Sequence, residues 1–215
     1  MTQIDRPFQQ KNTNCIHSFY LSKRTKQMAQ AKTLTTTELT QVLHYIGTTK
    51  YAERNRAMLL MGFWAGLRVK EIAQLKMGDV LNDDGTIRSE IRLSAAQTKG
   101  NDGRTVFLPN KLRDELAVYL TTRHIKDPKV AFFHTSNRLS FTPNTLCQHF
   151  FWLYKKAGVA GASSHSGRRQ FITTLANKGI SVRILASLAG HKSIAVTQKY
   201  IDVNDDMKRA AVELI

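Results

Sequence analysis

The stretch His165 to Tyr200 reads HSGRRQFITTLANKGISVRILASLAGHKSIAVTQKY and gathers two histidines, a paired arginine and a terminal tyrosine. A guanidinium is permanently charged and offers a planar fork of donors to phosphate oxygens, an imidazole changes charge near neutrality, and a phenol can act as a nucleophile. Phosphate chemistry is what such a set can do. The same stretch contains the elements that must position it. Ser164 or Ser166 can cap a helix that runs through Phe171, Ile172 and Leu175 and stops at Gly179, which puts His165 and Arg168 three apart on its first turn. Ser181 caps a second helix with Val182, Leu185 and Leu188 on one side, and Gly190 ends it so that His191 emerges at a turn. Ser193 opens a third, shorter helix that ends with Lys199 and Tyr200, ahead of the polar break Asp202 to Asp206.

Composition narrows the partner. The 215 residues carry 32 Lys+Arg against 16 Asp+Glu, a formal net charge of +16, the electrostatic footprint of a protein that meets a polyanion. Cys15 and Cys147 are far apart and belong to no repeated Cys/His pattern, which argues against a disulfide framework or a zinc ribbon. The most apolar run, Ala57 to Leu67, is too short to span a bilayer, and no secretory signal opens the chain, so a soluble, cytoplasmic protein is expected.

Residues 1–33 are polar, with basic residues around Lys23 to Lys26, and are expected to form a flexible basic arm; it either lies along phosphates or serves solubility. Residues 34–215 are expected to form one globular unit. Thr35 and Glu38 fit a capping box ahead of Leu39, Val42, Leu43 and Ile46, which share one helix face. Arg54 to Ala65 is a second, more apolar helix ended by Gly66, and Leu67 to Ile72 enters another short one, with Arg68 at the junction. Taken alone, Arg68 is a solvated charge that complements a helix end. Ile87 to Leu93 and Val106 to Leu108 read as strands joined through Thr98 to Arg104, a β-hairpin with Lys99 at its turn. Asn110 to His124 is helical with Leu112, Leu116, Tyr119 and Leu120 inward; Thr142-Pro143 starts a helix through Leu146, Phe150 and Leu153 to Gly158. A last helix follows Asn204. The fold class is therefore mainly α with a small antiparallel β-sheet, α+β.

The order of motifs resembles the catalytic domain of the tyrosine recombinases, the phage-integrase-type site-specific DNA recombinases. The matching residues are G-L-R-x-x-E-I at Gly66 to Ile72 with Leu75-Lys76 and Asp79-Val80, the hairpin Lys99, H-x-x-R at His165 to Arg168, Gly190-His191, and Tyr200 nine residues later. The resemblance runs over roughly residues 34 to 203. It implies that Arg68 and Arg168 clamp the non-bridging oxygens of a phosphodiester, that Tyr200 attacks phosphorus to form a 3′-phosphotyrosyl link, and that Lys99 protonates the departing 5′ oxygen. His165 becomes an acid/base partner and His191 a further donor, while Glu71 holds the Arg68 guanidinium. No cofactor and no metal are implied. Lys70, Lys76, Arg104, Arg169, Lys192 and Lys199 are the expected DNA contacts.

The implied activity is cleavage and rejoining of double-stranded DNA in a synaptic tetramer, with accessory DNA-bending proteins as possible partners. Two other readings remain open: a non-catalytic DNA-binding regulator of recombination, and a type IB topoisomerase-like nicking-closing enzyme. The chain departs from the family pattern twice. Gly167 stands where the family often has leucine, which predicts a looser first turn, and only about 33 polar residues precede the catalytic segment where relatives carry a clamp domain.

Overall fold

The computed structural model describes residues 31–98, 102–123, 127–137, 140–201, 205–213 and 215, with the side chains at 206, 207 and 210 left aside. All belong to one unit, Ala31–Ile215; the arm expected over residues 1–33 therefore lies almost wholly outside the described residues. The order is α1 (Thr36–Gly47), α2 (Ala52–Ala65), α3 (Val69–Gln74), α4 (Met77–Val80), β1 (Glu90–Leu93), β2 (Arg104–Phe107), α5 (Asn110–Thr121), α6 (Pro143–Lys156), α7 (Ser166–Asn177), α8 (Val182–Ala189), α9 (Ile194–Gln198) and α10 (Asp205–Val212). This is the expected helical fold with a small antiparallel sheet.

The helix α2 is the axis of the domain, and its sequence says why. Ala57 to Met61 and Phe63 are apolar on every side, so the middle turns of α2 are buried all round, and α1, α5 and α7 pack about the helix. Gly66 then adopts a left-handed φ of 65°, and a Cβ there would lie 2.5 Å from Phe171 Cδ1. Only glycine lets the chain turn at that point with α7 so near. α7 approaches α2 through a second small residue. Gly167 sits against Gly62, and a Cβ on Gly167 would come within 2.8 Å of the Phe63 ring and 3.1 Å of the Gly62 carbonyl carbon. The looser first turn expected there is not what forms: Phe63 occupies the space a leucine would take, and the contact is tight.

The capping box at Thr35 and Glu38 is made as the sequence indicates, and Ser181 and Ser193 cap α8 and α9. α7 differs. His165 itself is the N-cap residue, with no side-chain cap bond, and the Ser166 hydroxyl accepts the Ser163 N–H at 2.9 Å inside the fold. The sheet pairs β1 and β2 in antiparallel register, Ile91 against Val106 and Leu93 against Arg104. Ile91, Leu93 and Val106 face the core. A short 3-10 turn over Ala95–Gln97 follows β1, where the sequence indicates only a loop.

Candidate phosphoryl-transfer site

Four backbone junctions converge at one end of α2. The first is the turn after Gly66, which delivers Arg68 as the N-cap residue of α3. Arg68 N–H donates to Glu71 Oε2 at 2.7 Å, its Nη1 to Glu71 Oε1 at 2.9 Å, and its Nη2 to the Gly190 carbonyl at 3.0 Å. Glu71 has no exposed surface. The second junction is the start of α7, where His165 is exposed and Arg168, one turn on, is buried at 5% exposure. Arg168 Nη1 donates to the Gly66 carbonyl at 2.6 Å and Nη2 to the Ala189 carbonyl. One guanidinium thus ties the end of α2 to the end of α8.

The third junction is Gly190, left-handed with φ 60°, after which His191 leaves α8. His191 Nδ1 lies 2.8 Å from Thr197 Oγ1 of α9. The fourth is the end of α9, where the Tyr200 N–H donates to the Thr197 carbonyl at 2.9 Å and Thr173 Oγ1 of α7 donates to the Tyr200 carbonyl at 3.3 Å. The Tyr200 and His191 rings stack with centroids 5.8 Å apart and planes 22° apart, and the Arg169 guanidinium carbon stands 5.4 Å from the Tyr200 ring. Arg68, Arg168, His191 and Tyr200 are thereby brought together, with His165 one turn ahead of Arg168. Lys99 lies outside the described residues.

The electrostatics follow from crowding cations around one carboxylate. Burial pulls the Arg168 guanidinium down to about 9, and Arg68 and Arg104 add to this, while Glu71 and Tyr200 oppose it. It remains charged at neutral pH. Burial, then Arg168, Arg68 and Arg104, pull His191 down to about 4, so it is a neutral imidazole with a single N–H to donate. Burial alone raises Glu71, but its bonds to Arg104 and Arg68 outweigh that and hold it below the usual carboxylate range. Three guanidiniums against one carboxylate leave an excess of positive charge, which suits a bound phosphodiester and suits the added charge of a pentavalent transition state better still.

The expected DNA contacts divide. Lys76 and Lys199 are exposed, and Lys76 lines an open groove of roughly 670 Å³ together with Arg92 and Lys129. Lys192 is exposed and pairs with Asp102 at 2.7 Å. Lys70 is half-buried and donates to the Ala96 and Thr98 carbonyls at 3.2 and 3.1 Å, at the residue before Lys99. Arg169 stands over the Tyr200 ring. Arg104 does not reach the surface: its side chain is 8% exposed, and its Nε, Nη1 and Nη2 donate inward, to Glu71 and to the Leu188 carbonyl. The physical reason is register, since Arg104 lies opposite Leu93 and two residues before Val106, on the apolar face of the hairpin. That alternation was present in the sequence. Thr197, fully buried under His191, carried no comparable signal. Among the described residues no group of three or more His, Cys, Asp or Glu could hold a metal ion, and no helix is long and apolar enough to cross a membrane.

Residues 32–207 match the model of the phage integrase family, and the chain belongs to that family. Among particular relatives, it is 31% identical over 184 residues to the tyrosine recombinase XerA of Pyrococcus furiosus, covering 85% of this chain and 61% of that protein. The crystal structure of XerA recombinase superposes with a TM-score of 0.69 at 25% identity, over 85% of this chain and 63% of that one. The Tn1549 transposon integrase, in complex with a circular intermediate DNA, shares the fold with a TM-score of 0.67 at 20% identity, over 88% of this chain and 67% of that one. The chain spans about three fifths of the length of the curated relatives it matches.

Proposed function

We propose that residues 34–215 form the catalytic domain of a site-specific DNA recombinase that cuts and rejoins double-stranded DNA through Tyr200. The observation that carries this reading is the tie between α2 and α8: Arg68 and Arg168 hold the same backbone turn from which His191 departs, and the His191 ring stacks on Tyr200. The nucleophile thus stands beside the groups that hold its electrophile. In the reaction the Tyr200 oxygen bonds to phosphorus while the bond from phosphorus to the 5′ oxygen breaks. Arg68 and Arg168 hold the non-bridging oxygens, and neutral His191 donates to one of them. His165 accepts the phenolic proton, and Lys99 gives a proton to the 5′ oxygen. Attack by a free 5′ hydroxyl on the phosphotyrosyl link reverses the sequence and restores Tyr200. Lys76, Arg92 and Lys129 line one open groove, and Lys199 is exposed; these cations supply the salt-sensitive hold on the DNA backbone. Assembly is proposed to be a synaptic tetramer on DNA, helped by DNA-bending proteins.

Covalent capture tests this directly. Nicked duplexes tiled from the DNA flanking the gene are incubated, in chelator, with the unaltered protein and with Tyr200→Phe. A denaturation-resistant protein–DNA product from the unaltered protein alone is expected. DNA binding by both proteins with no covalent product from either refutes the recombinase in favour of a non-catalytic binder.

A further inference from the structure

Three guanidiniums, from three different elements, each hold one of three successive carbonyls at the end of α8. Arg104 Nη1 donates to Leu188 O at 2.8 Å, Arg168 Nη2 to Ala189 O, and Arg68 Nη2 to Gly190 O at 3.0 Å. A helix end leaves its last carbonyls without intrahelical partners and carries partial negative charge, so cations there are both bonded and favoured. Arg68 and Arg168 belong to the proposed reaction. Arg104 does not touch the reacting centre, yet it is built in as firmly. Its stem fills the place of a Cβ on Gly190, 2.5 Å from Cδ, so that glycine is demanded there by Arg104 as well as by φ.

The other half of the Arg104 fork lies on Glu71. Oε1 accepts from Arg104 Nε at 3.1 Å and from Arg68 Nη1 at 2.9 Å; Oε2 accepts from Arg104 Nη2 at 2.7 Å and from the Arg68 N–H at 2.7 Å. One buried carboxylate is therefore shared between two guanidiniums. If it faced Arg68 alone, it would cancel that charge and draw the fork away from a phosphate. With Arg104 neutralising it, Glu71 orients Arg68 without consuming its charge.

We propose that Arg104 is a positioning residue for phosphoryl transfer: it neutralises Glu71 so that Arg68 stays available to the scissile phosphate, and it pins the α8 end from which His191 emerges. The assignment rests on the recombinase reading above, and it replaces a DNA-contact role for Arg104.

The test separates rate from affinity. Single-turnover formation of the covalent product is measured at saturating protein, beside the dissociation constant and its salt dependence, for the unaltered protein, Arg104→Met, Arg104→Lys and the double variant Arg104→Met/Glu71→Gln. Circular dichroism establishes that each is folded. In Arg104→Met the rate is expected to fall roughly 10- to 100-fold, the range seen when a partner that orients a reactive group is lost, with affinity within about 2-fold and the salt slope unchanged. Arg104→Lys keeps the charge but cannot span Glu71 and Leu188, so its rate falls between. The double variant is expected to be faster than Arg104→Met, because the neutral amide that replaces the carboxylate no longer competes for Arg68; a brace of purely structural value predicts the opposite order. Unchanged rates in folded Arg104→Met or Arg104→Lys overturn the assignment, as does a double variant no faster than the single one. Weaker binding with a salt slope reduced by about one overturns it in favour of a phosphate contact. Absence of covalent product from the unaltered protein overturns the recombinase reading itself, and the assignment with it.

Discussion

Both ends of α2 bury an arginine, and they treat its charge in different ways. At the N-terminal end Arg54, 6% exposed, donates from Nη1 to the His134 carbonyl at 2.8 Å and from Nε and Nη2 to Asn55 Oδ1 at 3.2 and 2.9 Å. Its guanidinium carbon stands 4.4 Å from the Tyr51 ring and 5.4 Å from the Phe141 ring, and His149 Nε2 lies 3.0 Å from the same Asn55 oxygen. Neutral acceptors and aromatic faces close around that cation. At the C-terminal end Arg168 is equally buried, but it shares its surroundings with Arg68, Arg104, one carboxylate, an exposed His165 and a half-buried Tyr200. Each end also holds a histidine drawn down to about 4, His149 by burial and then Arg54, His191 by burial and then three arginines. A depressed imidazole therefore does not by itself mark a reactive site. What separates the ends is residual positive charge beside side chains that reach solvent, the exposed His165 and the half-buried Tyr200.

The strongest way to break this contrast is to remove each arginine in turn. Arg168→Met is expected to reduce the rate of covalent product formation by roughly 10²- to 10³-fold, as loss of a preorganised donor to the transition state does. Arg54→Met leaves the rate per folded molecule unchanged and lowers stability by about 2–3 kcal/mol, the range for buried hydrogen bonds to a charged group. Urea unfolding alongside the capture assay reads both. Equal loss of rate in the two variants would erase the distinction between a structural and a reactive cation.

Beside Arg168, in the last turn of α2, lies the α2–α7 contact, where Gly167→Leu is expected to cost about 1–3 kcal/mol through overpacking against Phe63. The compensating variant Phe63→Ala should recover part of that loss in the Gly167→Leu background. An unchanged Tm for Gly167→Leu would mean that α7 can move away from α2 without cost.

The two ends of α2 also mark the limits of sequence reading. The constellation His165, Arg168, His191 and Tyr200 was legible because each residue lies at or just beyond a helix end: His165 is the N-cap of α7 with Arg168 in the turn after it, His191 follows the helix-ending Gly190, and Tyr200 follows the end of α9. Glu71 was legible because three residues of helix bring it back to Arg68. The inward turn of Arg104 depended on strand register, which period-2 alternation indicated but which a positive charge in a basic chain concealed. The tight fit at Gly167 depended on Phe63, far off in sequence and near only once α2 and α7 pack. The Arg54 cluster was least visible, since His134, Phe141 and His149 come from separate segments and no spacing links them.

The two histidines give the finest test. In the unfolded chain both titrate near 6.5, and in the fold near 4. Between those values the unfolded state binds more protons, so stability falls as the pH drops below about 6.5, and the loss is complete below about 4. For His149, allowing for partial exposure, this is on the order of 1–2 kcal/mol, and His149→Gln should flatten that part of the pH dependence of urea unfolding. DNA then distinguishes the pair. A phosphate among Arg68, Arg168 and Arg104 offsets the charges that depress His191, so its imidazole should titrate at higher pH in the complex, and DNA binding should take up a proton as the pH falls toward 4. His149, enclosed at the other end of α2, should titrate as before. Imidazole chemical shifts followed through pH with and without a bound duplex report both residues at once. A shift at His191 alone places the phosphate beside the three arginines; equal movement at both would mean that the far end of α2 feels DNA as strongly as the proposed site does.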